Sequence, residues 1–279
     1  MNFFDHLGRI DRRIIYVLLF LAVAVPLMKP LGLPTMVEPM TQQAFDTVGK
    51  LKQGDVLIFA MDTSVAYKAD LYAGSIAMVQ HALNRGARVL IPAVVQDGPL
   101  VADDLVKYFE KKGIKYGDRL INLGFVPGGE TAVAAMARNF PGTFPKDYYG
   151  NATAGMPAMA GVNSAKDFTL VVAAAVNITP GGLDWVKQVQ GPYGTPLVFL
   201  SGAMLVPQFV PYLQSGQLKG MLKGISGSAQ YETLLKQPGA ATASMEGQSM
   251  AHSLVIILII LGNLSFILGA ATRKARGVR

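Results

Sequence analysis

The chain has 279 residues, a net charge of +7 and no cysteine, which excludes disulfides and thiol chemistry. Most of the positive charge lies near the two ends, and the almost neutral middle argues against a nucleic-acid-binding surface. Hydrophobic residues make up 51% of the chain and charged residues only 15%. This balance is typical of a protein that lies partly in a membrane.

The first long apolar stretch is Ile14–Met28, which follows two arginines. With the residues after it, this stretch is long enough to cross a bilayer, although Pro26 would kink or end the helix. Residues 14–33 are therefore predicted as a transmembrane helix, and residues 1–13 as the tail before it. Residues 22–24 read Ala-Val-Ala, as at signal-peptide cleavage sites, so a cleaved signal peptide is the alternative to the favoured uncleaved anchor.

Residues 34–53 are predicted to form a lead-in with a short helix at Thr41–Lys50. From Gly54 onward, apolar runs of strand length alternate with segments of helical periodicity. The predicted strands are Asp55–Ala60, Arg88–Val95, Arg119–Gly124, Phe168–Ala175, Leu197–Ser201 and Leu218–Leu222. The predicted helices are Leu71–Leu83, Leu100–Lys112, Gly129–Asn139, Gly182–Val189, Met204–Leu213 and Ala229–Lys236.

This alternation predicts an α/β fold over residues 54–236, with a mostly parallel, doubly wound sheet of about six strands. The stretch Phe140–Asp167 is rich in glycine, proline, alanine and methionine and is too long for an ordinary connection. Such stretches are usually functional or serve as interfaces. A single domain is favoured, and a division into two lobes near this stretch is the alternative.

The end of the chain predicts a second membrane anchor. Residues 237–252 are predicted as a linker, and Ser253–Thr272 as a transmembrane helix because these twenty residues carry no charge. Residues 273–279 then add four cations. Because cations next to membrane helices stay in the cytoplasm, both termini are expected inside and the α/β domain in the periplasm or outside the cell. The expected location is the inner (plasma) membrane, with the lipid bilayer as a partner.

Small and polar residues interrupt the apolar surface of this second predicted helix. They are Gly262, Asn263, Ser265 and Gly269. Residues of these types mark helix–helix contacts in membranes. The partner is either the first helix of the same chain or another subunit, so a homo-oligomer or an assembly with other membrane subunits is expected.

In parallel sheets, ligands bind beyond the carboxyl ends of the strands. The candidate ligand-binding residues are therefore Asp62, Thr63, Ser64, Gly128, Gly129, Asn177, Thr179 and Ser201. Asp62 is the strongest acidic candidate, although capping of the next helix by Asp62, Thr63 or Ser64 is the favoured alternative. The glycine pair could admit an anion to a helix N-terminus. A tight turn explains it more simply, and no nucleotide-binding motif is present.

Catalytic residues are poorly supplied. His81 is the only histidine between the predicted anchors, and its helical neighbours Ala77, Asn84 and Arg85 predict a solvated position. Without cysteine and with one available histidine, neither a catalytic triad nor a zinc site is predicted. No catalytic residue, metal or cofactor is therefore assigned.

Three segments carry a resemblance to known proteins. Phe125–Glu130, Phe144–Gly150 and Pro211–Gly224 resemble a set of uncharacterised bacterial proteins with an α/β domain between two transmembrane anchors. The resemblance implies that architecture but no catalytic residue, because that set has no assigned activity. Pro211–Leu222 is also similar to a turn of tripartite tricarboxylate solute-binding proteins, which implies ligand binding.

The favoured function is that of a non-enzymatic, scaffold-like subunit of an oligomeric membrane assembly, anchored by the two helices. The alternative is a tethered solute-binding or sensing domain that uses the crevice at the strand ends. The third possibility is a hydrolase or transferase in which Asp62 or Glu130 is the acid–base group.

Overall fold

The computed structural model describes residues 11–33 and 35–275, with side chains up to residue 268. The chain forms two compact units. One comprises Thr35–Gln237, and the other combines the two ends, Met1–Pro34 and Pro238–Arg279. Gly269, one of the predicted helix-contact residues, lies outside the described side chains, as do the four C-terminal cations.

A six-stranded parallel sheet forms the centre of the unit Thr35–Gln237, with the strand order β3-β2-β1-β4-β5-β6. The strands are β1 Val56–Asp62, β2 Arg88–Ala93, β3 Leu120–Phe125, β4 Leu170–Ala175, β5 Leu197–Ser201 and β6 Leu218–Lys223. All six predicted strands are confirmed. The order reverses between β1 and β4, which pair directly from Leu57↔Leu170 to Asp62↔Ala175.

Helices connect the strands and flank the sheet at both ends of the unit. They are α2 Pro39–Gly49, α3 Lys68–Asn84, α4 Gly98–Glu110, α5 Glu130–Arg138, α6 Phe140–Thr143, α7 (the consecutive turns Leu183–Trp185, Val186–Gln190 and Gly191–Tyr193), α8 Val206–Gln214 and α9 Gly224–Leu234. Alternate residues of β1 belong to separate cores: Ile58 shares a core with residues of α5, α7 and α8, whereas Phe59 shares one with residues of α2, α3, α4 and α9. Both faces of the sheet are therefore covered, which explains why the strands are mostly apolar.

Helix α2 covers β6, one of the two edge strands. A Cβ atom added at Gly220 would lie 2.2 Å from the backbone nitrogen of Ala44. The hydroxyl of Thr47 also donates to the carbonyl of Lys219 at 3.1 Å. The segment predicted as a lead-in is therefore part of the compact unit and protects its edge from pairing with another chain.

The long stretch 140–167 covers the other edge strand, β3. The backbone N–H of Tyr148 donates to the carbonyl of Asn122 at 3.0 Å. The guanidinium of Arg88 donates to the carbonyls of Pro157, Ala158 and Ala160 and so holds the stretch in place. Because 140–167 packs along β3, it belongs to the same compact unit as both halves of the sheet.

The unit formed by the two ends contains α1 Arg12–Met28 and α10 Ala240–Ala275, which pack against each other. Two backbone N–H groups that follow α1, those of Leu31 and Leu33, donate to the carboxylate of Glu246 in α10 at 2.6 and 2.8 Å. Glu246 therefore ties the extended segment after α1 to α10.

The structure corrects two of the predicted membrane boundaries. Helix α1 ends at Met28, two residues after Pro26, and its 17 residues measure only about 25 Å, short of the roughly 30 Å of a bilayer core. The predicted span 14–33 is therefore not supported. The predicted linker 237–252 is wrong, since α10 begins at Ala240, directly after the helix-breaking Pro238 and Gly239.

Among the described residues, one helix is long and apolar enough to cross a membrane, over Ala240–Leu268. It lies close to α1 at Gly247, where an added Cβ would lie 3.3 Å from the carbonyl oxygen of Val23. Of the predicted contact residues, Ser265 is buried, but Gly262 and Asn263 are exposed. The prediction therefore missed Gly247, and neither Gly262 nor Asn263 is buried against α1.

Candidate functional site

Asp62 ends β1 at the point where the strand order reverses, and its side chain is fully buried. One carboxylate oxygen accepts the backbone N–H of Val94 at 2.8 Å, and the other accepts the indole N–H of Trp185 at 2.7 Å. Burial raises the pKa of Asp62 to about 6. Asp62 therefore ties three segments together, and the expectation that it caps the next helix is wrong.

Asp184 and Trp185, at the start of α7, complete this buried cluster, and the sequence prediction missed both. Trp185 is the only tryptophan of the chain and is fully buried. One oxygen of Asp184 accepts the N–H of Gly181 at 2.9 Å, whereas the other is buried and has no hydrogen-bond partner among the residues that the structure describes. Burial raises the pKa of Asp184, and the charge of Glu130 adds to the effect. The sole tryptophan next to an aspartate was the one available signal.

The glycine turn after β3 packs against the segment that leads into α7. A Cβ atom at Gly129 would lie 3.3 Å from the Cβ of Pro180 and 3.9 Å from a carboxylate oxygen of Asp184. Its φ of +54° also favours glycine. The neighbouring Glu130 accepts from Gln188 at 2.8 Å and from Lys187 at 3.1 Å, and these bonds lower its pKa. The turn is thus joined to α7.

The other predicted ligand-binding residues differ in exposure. Thr63 and Ser201 are buried, and the hydroxyl of Ser201 faces the carbonyl of Gly202 at 3.4 Å. Ser64 is half-buried and makes no side-chain cap, whereas Asn177 and Thr179 are exposed in the loop after β4. Gly128 is exposed at the start of the glycine turn. The structure therefore brings Asp62 and Gly129 to the Asp184–Trp185 pair and leaves Asn177 and Thr179 at the surface.

His81 lies in the core, so the predicted solvated position is wrong. It is only 8% exposed, its Nδ1 lies 2.9 Å from the hydroxyl of Tyr231, and its ring packs 4.6 Å from that of Phe45. Burial lowers the pKa of His81 to about 4, with a further contribution from Arg85. The partners come from α2 and α9, which the periodicity of α3 alone could not show.

A patch of exposed apolar side chains lies at the carboxyl ends of β1, β2 and β3. In residues 35–237, all of which are described, the large apolar side chains that are exposed are Met36, Val65, Tyr67, Leu100, Phe125, Tyr148, Tyr149 and Met204. Six of these side chains define what we call the tip surface: Val65, Tyr67, Leu100, Phe125, Tyr148 and Tyr149. Met36 precedes α2 and Met204 follows β5.

Contacts between neighbouring elements connect the parts of the tip surface. Helix α4 begins against the ends of β1 and β2, because a Cβ at Gly98 would lie 2.0 Å from the carbonyl oxygen of Met61 and 2.7 Å from the Cβ of Ala93. Ala93 in turn pairs with Phe125. The hydroxyl of Tyr149 donates to Asp103 of α4 at 2.5 Å.

A rigid turn presents the two tyrosines of the tip surface. The carboxylate of Asp147, itself buried, accepts the backbone N–H groups of Tyr149 at 2.9 Å and Asn151 at 2.8 Å. It also accepts the hydroxyl of Tyr116 at 2.9 Å and the side-chain amide of Asn151 at 3.1 Å. Because these bonds fix the turn before any partner binds, little conformational entropy is lost at Tyr148 and Tyr149 on association.

The charges beside the tip surface are balanced. Asp103 pairs with Lys107 at 2.7 Å, and Asp104 pairs with Lys68. Aromatic side chains surrounded by paired charges are typical of protein interfaces, where tyrosine is enriched and unpaired charge is depleted. The tip surface is therefore suited to contact another protein.

A separate groove of about 500 Å³ lies within the stretch 140–167. Its apolar lining includes Pro141, Pro145, Met156, Pro157, Met159 and Val162. In the part of the chain that the structure describes, no group of three or more histidine, cysteine, aspartate or glutamate side chains could hold a metal ion.

The unit Thr35–Gln237 has a Rossmann-like α/β fold, with a buried acidic cluster at the strand-order reversal and an apolar surface beside it. Comparison of the chain with family models, with curated proteins and with solved structures found no match.

Proposed function

We propose that the protein is a non-enzymatic, membrane-anchored subunit of an oligomeric membrane assembly. Its α/β domain contacts another subunit through the tip surface, outside the cytoplasm. The observation that carries this proposal is the exposure of six large apolar side chains in one patch, on a domain whose remaining apolar residues are almost all covered. Such patches on folded domains mark interaction sites.

The apolar helix supports the membrane part of the proposal. Helix α10 is strongly apolar over Ala240–Leu268, yet its side chains Ile256, Ile259 and Phe266 are more than half exposed. Exposure of this kind is costly in water and favourable in lipid. A single anchor of this kind is sufficient for the proposal, so it does not depend on α1 crossing the bilayer.

The accessibility and hydrogen bonding of the two candidate acids, Asp62 and Glu130, favour a non-enzymatic function. A catalytic acid or base must reach its substrate within hydrogen-bonding distance. Asp62 has a raised pKa, but its side chain is fully buried and both oxygens already accept hydrogen bonds. Glu130 is half-buried and bonded to Lys187 and Gln188, and these bonds lower its pKa, opposite to what a general acid needs.

The test is the mass of the full chain, purified in mild detergent, over about a hundredfold range of concentration. We expect an assembly larger than the 29.7 kDa chain, and a shift toward smaller species when Leu100 is replaced by glutamate. The matched control is Lys111→Glu at the far end of the same helix, which should leave the mass unchanged. A monomer at every concentration, with no partner crosslinked in membranes, would refute the proposal.

A tethered solute-binding or sensing function is the second candidate, and one observation favours it. The buried carboxylate of Asp184 has one oxygen without a hydrogen-bond partner among the described residues. Its other oxygen lies 3.9 Å from where a Cβ of Gly129 would be, in the region where ligands bind in this class of fold. A bound solute with a hydrogen-bond donor would satisfy the unpartnered oxygen. This function predicts that a small polar molecule raises the melting temperature and that Asp184→Asn abolishes the shift. No shift across a broad metabolite panel would exclude it.

A further inference from the structure

The described side chains of α10 end at residue 268. Between His252 and that residue, Asn263 is the only exposed side chain of α10 that is strongly polar, if the serine hydroxyls are left aside. It makes no side-chain hydrogen bond to any residue that the structure describes. Ile259 and Phe266, one turn before and after it on the same helix face, are 57% and 72% exposed. The amide therefore projects from an apolar surface.

The position of Asn263 along α10 places it near the middle of a bilayer. It precedes Arg273, the first cation after the apolar run, by ten residues. Ten helical residues span about 15 Å, which is half of the roughly 30 Å hydrocarbon core. At that depth neither water nor lipid headgroups reach the side chain, and a buried amide without a partner is strongly unfavourable.

We propose that α10 associates with α10 of a second copy of this chain through reciprocal hydrogen bonds between the two Asn263 amides. A side-chain amide is both donor and acceptor, so two copies related by a twofold axis satisfy each other. Gly262 is also exposed, and a Cβ added there would have no neighbour within 4 Å, so the partner helix can approach closely. Lipid chains cannot replace this contact, because they carry no hydrogen-bonding group.

This inference rests on the proposed membrane anchoring, but it identifies a contact separate from the tip surface. Because the chain has no cysteine, single-cysteine variants report one contact at a time. The test uses full-length Ile259→Cys in native membranes, oxidised with copper phenanthroline and analysed on a non-reducing gel. The matched control is Leu261→Cys, which lies on the opposite face of the helix.

We expect a disulfide-linked homodimer for Ile259→Cys and much less for Leu261→Cys. Adding Asn263→Leu should reduce the Ile259→Cys dimer by about threefold to thirtyfold, the range that corresponds to hydrogen bonds between membrane helices. Adding Asn263→Gln, which keeps the amide, should retain most of it. The Asn263 substitutions lie on a face of α10 that is exposed in the single chain, so the fluorescence of Trp185 in the α/β domain should not change.

Three results would overturn the inference in distinguishable ways. Equal dimer from both cysteine positions, or full dimer with Asn263→Leu, would show that Asn263 does not hold the contact. A crosslink from position 259 to a different protein would exclude a second copy and leave the proposed function intact. Release of the chain from membranes by alkaline carbonate would refute the proposed anchoring itself, and the inference with it.

Discussion

Replacing Asp62 by asparagine should change how the stability of the α/β domain depends on pH. Asparagine keeps the size of the side chain but cannot ionise, and its single oxygen can accept from Val94 or from Trp185 but not from both in the present geometry. The substitution therefore removes a buried charge and leaves one buried donor without its present partner.

The magnitude follows from the pKa of Asp62, which burial raises from 3.8 to about 6. Between these values the native state binds the proton and the unfolded state does not. The stability that Asp62 contributes is therefore fully present below about pH 3.8 and is lost as the pH rises through about 6. At 1.36 kcal/mol per pH unit, the loss is roughly 3 kcal/mol.

The assay is urea unfolding of the detergent-solubilised full chain at several pH values from 4 to 7.5. Fluorescence of Trp185, the only tryptophan, reports the α/β domain alone. At pH 4 we expect Asp62→Asn to be less stable than the wild type by about 1–3 kcal/mol, because a buried donor has lost its acceptor. This difference should shrink or reverse by pH 7.5.

The wild type measured at each pH is the control, since groups such as His81 titrate in both proteins and cancel in the difference. A difference in unfolding free energy that stays constant within about 1 kcal/mol from pH 4 to 7.5 would refute the account of Asp62. A difference that grows with pH would also refute it, because an ionised carboxylate would then stabilise the fold.

Three further predictions follow from other parts of the structure. Burial lowers the pKa of His81 from 6.5 to about 4, so the stability that His81 contributes is present above pH 6.5 and is lost as the pH falls toward 4. Unfolding curves of His81→Gln measured at several pH values should lack this loss. Equal acid sensitivity of the wild type and the variant would contradict the buried position of His81. In thermal unfolding, Gly220→Ala should lower the free energy of unfolding by about 2 kcal/mol or more, because the added Cβ would overlap the backbone of Ala44. The control Gly150→Ala, at a position with positive φ but open space, should lower it by only about 1 kcal/mol. Equal losses of stability in the two variants would show that α2 does not pack on β6 as described. A cysteine in place of Lys111 should react with a membrane-impermeant maleimide in intact spheroplasts, and a cysteine in place of Val278 only after lysis; the reverse pattern would place the domain in the cytoplasm.

The strands were predictable because most of their residues are buried on both faces of the sheet, so each strand reads as a short, mostly apolar run between turn residues. Leu197–Ser201, for example, has the same bounds in the prediction and in the structure. Helix boundaries near the membrane were less predictable, since the alanines and serines after Pro238 are typical of a linker but also tolerated in a helix. Only the structure shows that α10 continues through them.

The candidate site was harder to predict because its contacts join residues far apart in the chain. Asp62 was predicted to follow the first strand and is the last residue of β1, but its partner Trp185 lies 123 residues later. His81 was misplaced because its partner Tyr231 lies 150 residues away. The tip surface was missed for another reason. Leu100 and Phe125 are of residue types that usually lie in the core, and only the three-dimensional structure shows that they are exposed.

The proposed contact through the tip surface can be tested most directly by photo-crosslinking in native membranes. A benzophenone amino acid replaces Leu100 in the full chain, and the control replaces Lys111 at the far end of the same helix. The proposal predicts a discrete crosslinked partner from position 100 and none from position 111. No crosslink from position 100, or the same products from both positions, would contradict the tip surface as the contact of a membrane assembly.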